Sequence, residues 1–177
     1  LFESVRNYQW KGICIEPQTE AFRKLTRHYA DCPAVISVQG ALSSQSGNRS
    51  LFRFQHQDPE LNIYCDELAS FYKPLHIENV IVELLKFPEL LESVSSDIDR
   101  WIIEETVPCY TIEELISTYG ISPELISLDI EGHEADVIMG IDLKKIRPSF
   151  FFFEIFHMRE VKKTACLQRL MDNGYRI

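Results

Sequence analysis

The stretch that most constrains this chain is LISLDIEGHEADVIMG, residues 125–140, which passes from strand to turn to helix within a few residues. Leu125, Ile126, Leu128 and Ile130 form a short apolar run of the kind that makes a buried parallel strand. Asp129, Glu131, His133 and Glu134 then crowd one turn, where Gly132 supplies backbone angles that other residues avoid. Val137 and Ile138 resume on the apolar face of a helix. Carboxylates at the carboxyl end of a strand sit where open α/β sheets place their ligands.

The flanking sequence repeats this alternation. WKGICIEP at 10–17 predicts a strand ending in Glu16, with Pro17 stopping the ladder. Thr19 is placed to cap a helix carrying Phe22, Leu25 and Tyr29, and AVISVQGAL at 34–42 predicts the next strand. Strand, helix and strand of this length predict a right-handed parallel crossover. A polar turn at 43–48 and a short strand around Leu51, Phe52 and Phe54 follow. Residues 55–106 read as an insertion folding over the ligand edge of the sheet. His56, Gln57, Asp58, Pro59 and Glu60 form a loop there, and a helix over 77–86 is halted by Pro88. Thr111 and Glu114 make a capping box, Ile112, Leu115, Ile116 and Tyr119 an apolar stripe, and Gly120 a stop. SFFFFEIF at 149–156 predicts a second buried strand with Glu154 inside it and its phenylalanines in the core. The helix predicted over 159–173 offers Val161, Ala165, Leu170 and Met171 to that core. The expected fold is α/β, a single domain over residues 1–177 with a doubly wound, mostly parallel sheet and helices on both faces.

Charge and cysteine usage narrow the partners. A formal charge of -9 with no offsetting basic cluster argues against nucleic acid and anionic membrane surfaces, and favours a small neutral or cationic ligand. Cys14, Cys32, Cys65, Cys109 and Cys166 are scattered and never in a CxxC spacing, so neither disulfides nor a zinc site is expected and a cytoplasmic setting fits. The longest apolar run, at 150–153, is far short of the roughly 20 residues of a membrane span.

These motifs together resemble the FkbM-type methyltransferases, a family of S-adenosyl-L-methionine-dependent enzymes on the doubly wound, Rossmann-like methyltransferase fold. The resemblance rests on WKGICIEP at 10–17, VQGAL at 38–42, VPCYTIEELISTYGI at 107–121, LISLDIEGHEADVIMGI at 125–141 and RPSFFFFE at 147–154, in family order. It implies that Glu16 binds the ribose hydroxyls of the cofactor, that Gly40, Ala41 and Leu42 lie against its adenine, and that Asp129 faces its methionine moiety and the acceptor. The family's first strand and glycine-rich loop are expected ahead of Trp10. Residues 1–9 contain no glycine, so the chain reads as a fragment lacking that motif and truncated at both ends.

Methyl transfer from a sulfonium is an in-line displacement from an activated leaving group, so much of the catalysis can come from alignment. A hydroxyl acceptor must also lose a proton. Asp129 is assigned to positioning, with His133 and Glu131 as possible bases, and the acceptor is expected to be a hydroxyl of a small molecule or sugar. Bland readings stand beside these: Glu134 as a first-turn helix carboxylate, His133 as an exposed turn residue and Glu16 as a plain strand end. No metal is expected, though Asp129, Glu131, His133 and Glu134 could together take a hard divalent ion. His28, His56, His76 and His157 are too dispersed to nominate as ligands. Two other functions compete: a methyltransferase-like binding or scaffold domain without turnover, and a nucleotide-binding α/β domain using another cofactor, with Glu16 still on its ribose.

Overall fold

The computed structural model describes residues 2–58, 61–62, 65 and 68–177. Pro59 and Glu60 of the expected loop therefore lie outside the described residues. The chain opens with helix α1 (Phe2–Tyr8), then β1 (Gly12–Glu16), α2 (Thr19–His28), β2 (Val35–Gln39), β3 (Ala41–Leu42) and β4 (Gly47–Phe54). Helices α3 (Lys73–Leu84) and α4 (Pro88–Val94) and a 3-10 helix (Ser95–Trp101) lead into β5 (Ile102–Tyr110) and α5 (Ile112–Tyr119). The chain then runs through β6 (Leu125–Leu128), α6 (Glu134–Gly140), β7 (Phe150–Phe153) and α7 (Glu160–Asp172).

The fold is α/β, but its strands make three small sheets rather than one doubly wound sheet. β1 pairs with β2 in parallel and β6 with β7 in parallel, while β5 lies between β3, parallel to it, and antiparallel β4. Residues 2–8, ahead of Trp10, form α1 and add no strand to the first or last sheet. The strand expected over 34–42 divides at Gly40, which donates its N–H to the Glu16 carbonyl (3.1 Å) before the chain leaves β1 to pair with β5. A Cβ at Gly40 would lie 2.8 Å from the Pro108 carbonyl and 2.5 Å from the Tyr110 ring, so close backbone approach requires glycine here.

Hydrophobic burial joins what hydrogen bonds do not. One core cluster runs through Val38, Leu42, Ile112, Leu115, Ile126 and Leu128 and on into α6 and α7, so a single apolar layer lies beneath the first and last sheets. Ile138 is fully buried there, which by area is worth about 1.5–3 kcal/mol. A second cluster of Phe54, Leu61, Cys65, Val80, Leu84 and Val94 gives the segment after β4 its own core.

Several local expectations are met and others are corrected. The Thr111 hydroxyl accepts from the Glu114 N–H (3.1 Å), and Gly120 closes α5 in the left-handed region at φ 66°. The Glu114 carboxylate, however, accepts from the Ser46 hydroxyl, so only half of the capping box is shown. Thr19 is the first helical residue rather than the cap: Gln18 occupies that position, and the Thr19 hydroxyl accepts from Gln39 Nε2 instead. Pro88 opens α4, where its fixed φ suits a first turn. Phe151 and Phe153 pack on the core, but Phe150 and Phe152, at 68% and 70% exposure, point away from it on the opposite face of β7. In α7 the buried residues are Cys166 and Leu170, while Val161, Ala165 and Met171 are exposed. All five cysteines are free.

Candidate active site at the strand ends

The turn after β6 sends its polar side chains in three directions. Glu131 and Gly132 both have positive φ, 52° and 90°, and this left-handed pair swings the chain from strand into α6. A Cβ at Gly132 would stand 2.6 Å from Leu75 Cδ2 and 3.2 Å from the His157 carbonyl. Asp129, directly after β6, is exposed. Glu131 turns towards the segment after β4, where its Oε2 accepts from Asn79 Nδ2 (3.2 Å) and its carbonyl accepts from the Ser70 hydroxyl (2.9 Å). The same Oε2 lies 3.3 Å from His157 Nε2.

His133 goes inward and is buried at 1% exposure, which removes the reading of an exposed turn residue. Its ring meets Phe71 edge-on with centroids 5.0 Å apart, and the Arg49 guanidinium stacks 4.4 Å from the Phe71 centroid. Arg49 Nη1 lies 3.0 Å from His133 Nε2, and since arginine only donates, Nε2 must accept. The imidazole proton then sits on Nδ1, which is 3.2 Å from Asp136 Oδ2. The Ser43 hydroxyl, 3.3 Å from Nε2, also accepts from Arg49 Nη1 (3.1 Å). Asp136 takes two further donors: Lys162 Nζ at 2.7 and 2.8 Å from its two oxygens, and the Tyr72 hydroxyl.

This wiring fixes the charge states. Burial, reinforced by Arg49 and Lys162, outweighs Asp136 and holds the His133 pKa down at about 4, so the ring is neutral near pH 7. Burial alone would raise Asp136, but Lys162 and Tyr72 donate to its charged form and bring its pKa below the usual carboxylate range. Lys162 is correspondingly raised: burial opposes its charge, and Asp136 more than restores it. Ser43, Ser44, Gln45, Ser46, Asn48, Arg49, His133 and Asp136 together line a cavity of ≈ 400 Å³, dense in donors and acceptors with an arginine in its wall.

The remaining nominated residues lie along β1 to β3. Glu16 is partly buried at the carboxyl end of β1. Its Oε1 accepts from the Gln18 N–H (2.8 Å), and burial raises its pKa against that bond. Gly40, Ala41 and Leu42 are all buried. Asp129, Glu131 and His133 are thus neighbours in sequence that face different partners. Sequence reasoning missed Arg49, Tyr72, Asp136 and Lys162. The i,i+3 spacing of His133 and Asp136 on one helical turn could have revealed Asp136. Arg49 and Lys162 arrive from distant elements with no local signal.

The molecule is an α/β protein whose parallel strands β1 and β6 lead into Glu16 and Asp129, with a polar cavity around Arg49, His133 and Asp136. The profile of the methyltransferase FkbM domain matches residues 1–177, and the chain belongs to that family. Comparison with curated proteins gives no match, and comparison with solved structures gives none either.

Proposed function

We propose that the chain serves S-adenosyl-L-methionine-dependent methyl transfer to a hydroxyl of a small molecule or sugar. The observation that carries this, within the family, is the placement of Glu16 and Asp129 at the carboxyl ends of parallel strands. Glu16 suits a ribose: one oxygen is fixed by the Gln18 N–H, and a carboxylate can accept from two vicinal hydroxyls. Ala41 and Leu42 direct their side chains into apolar clusters, so only the backbone of residues 40–42 would remain to meet adenine. When bound, the cofactor supplies a methyl group on an already activated sulfur. The exposed carboxylate of Asp129 then orients donor and acceptor. Glu131 and His133 are the proton acceptors of this reading, with Glu131 the readier, because His133 Nε2 must first release Arg49. The hydroxyl-rich wall of the ≈ 400 Å³ cavity suits a polyhydroxylated acceptor.

The test is calorimetric titration of S-adenosylhomocysteine into the chain, followed by methyl transfer to a panel of sugars and phenols with Asp129→Ala alongside. Binding, with transfer lost in the variant, is the expected result. Turnover unchanged by Asp129→Ala overturns the assignment of Asp129. A binding domain without turnover is the competing reading, favoured by the close packing of Gly40 on Tyr110 and Pro108. It gains if the product binds and no acceptor is methylated.

A further inference from the structure

A second group of acids gathers behind the turn. Asp129 follows β6 and Glu154 follows β7, and the Glu154 N–H donates to the Leu128 carbonyl (3.2 Å), which holds the two strand ends together. Glu134, on the first turn of α6, reaches the same point, and one carboxylate oxygen from each of the three lies within 4.8 Å of the others. One carboxylate oxygen each from Glu131 and Glu154 and a ring nitrogen of His157 also lie within 4.8 Å of one another, so Glu154 joins two overlapping triads.

The carboxylates are poorly compensated. Among the described residues no lysine or arginine pairs with Asp129, Glu134 or Glu154, and the one positive-capable contact is His157, 3.8 Å from Glu154. Glu134 is the sharpest case, buried at 1% exposure. Its Oε1 accepts from the Ile130 N–H (2.8 Å), while its Oε2 is buried with no hydrogen-bond partner among the described residues. A buried carboxylate oxygen without a donor is expensive unless a cation or proton reaches it. Burial raises the Glu134 pKa, with Glu154 adding to it, against backbone N–H groups of Ile130, Glu134 and Gly132 that lower it.

We propose that Asp129, Glu134 and Glu154 form a site for a hard divalent cation of the Mg²⁺, Mn²⁺ or Ca²⁺ class, flanked by Glu131 and His157. All-oxygen donor sets suit these ions, and oxygens on opposite sides of one stand about 4–5 Å apart, which the observed spread accommodates. Three carboxylates against one divalent charge leave room for water or a ligand oxygen in the remaining positions. The site shares Asp129 with the proposed transfer centre, but binding is read with no methyl donor present, so each reading can fail without the other.

The experiment titrates Mn²⁺ into the chain at pH 7.5, following free ion by electron paramagnetic resonance and heat by calorimetry, with Mg²⁺ and Ca²⁺ as competitors. Expected are one saturable site, a rise in melting temperature with Mn²⁺, and weakening by about tenfold or more in Glu154→Gln, with Glu20→Gln as the unaffected surface control. Glu134→Gln should behave as Glu154→Gln does. If that buried variant fails to fold, Glu154→Gln, altered at a partly exposed side chain, still decides. Absence of saturable binding at millimolar Mn²⁺, or binding equal in wild type and Glu154→Gln, overturns the proposal and leaves Glu134 sharing a proton with its neighbours.

Discussion

His133 sets a pH dependence that follows from its surroundings. It faces Arg49 from β4, Ser43 from the loop after β3, Phe71 and Tyr72 from the segment ahead of α3, Asp136 from its own helix and Lys162 from α7. The folded pKa of about 4 lies below the 6.5 of free imidazole. Between those values the unfolded chain binds a proton that the folded chain refuses. The contribution of His133 is therefore constant above pH 6.5, and stability falls as pH drops from 6.5 towards 4. Each pH unit in that window is worth about 1.4 kcal/mol, so at pH 5 this group costs about 2 kcal/mol, or roughly 4–8 °C in melting temperature for a domain of this size. Glu16 and Glu134 are raised and act in the opposite sense above their ordinary range, but they do so in wild type and variant alike. His133→Gln removes only the titrating ring. Urea unfolding of both proteins at pH 7.5, 6.0 and 5.0 should show the stability gap between them shrinking by about 2 kcal/mol from pH 7.5 to pH 5.0. Parallel pH profiles would refute the neutral, Arg49-bound histidine.

Three further outcomes test the rest of the site. Gly132→Ala forces a left-handed residue against the His157 carbonyl, 3.2 Å from the new Cβ, and should cost about 2–3 kcal/mol in chemical denaturation, since Leu75 can rotate aside and the carbonyl cannot. Asp136→Asn leaves Lys162 without its counter-charge. Because the Lys162 side chain is 42% exposed, water recovers part of the loss, and a double-mutant cycle with Lys162→Met should give a coupling of about 1 kcal/mol by thermal melts. Glu16→Gln should weaken S-adenosylhomocysteine binding by about 10–100-fold in calorimetry while leaving the melting temperature of the free chain nearly unchanged.

The order of the elements at 12–39 and 112–172 was legible because it is written in local chemistry. The apolar runs at Gly12–Glu16, Val35–Gln39 and Leu125–Leu128 appear as strands, and Thr111 and Gly120 bracket α5 as their side chain and left-handed backbone dictate. That Glu16 ends β1 and Asp129 follows β6 was legible because a strand end followed by a turn is a local pattern. Residues 149–156 show where pattern fails. A run of four phenylalanines contains no period, so it could not reveal that alternate rings leave the core, nor that Glu154 lies just past the strand. In α7 the expectation placed Val161 and Met171 inside, but which stripe is buried depends on what α6 presents to it.

The sequence by itself determined the family, the elements at 12–39 and 112–172, the Thr111 cap and Gly120 stop of α5, and the residues of one turn that bear carboxylates and a histidine. The tertiary structure alone decided that the strands divide into three sheets, because pairing depends on which edges meet. It also decided where the turn's side chains go. Arg49, Tyr72 and Lys162 converge on His133 and Asp136 from three separate elements, and burial together with those long-range contacts, rather than the residue types, sets the charge of the histidine; the fold likewise buries Glu134 among other acids.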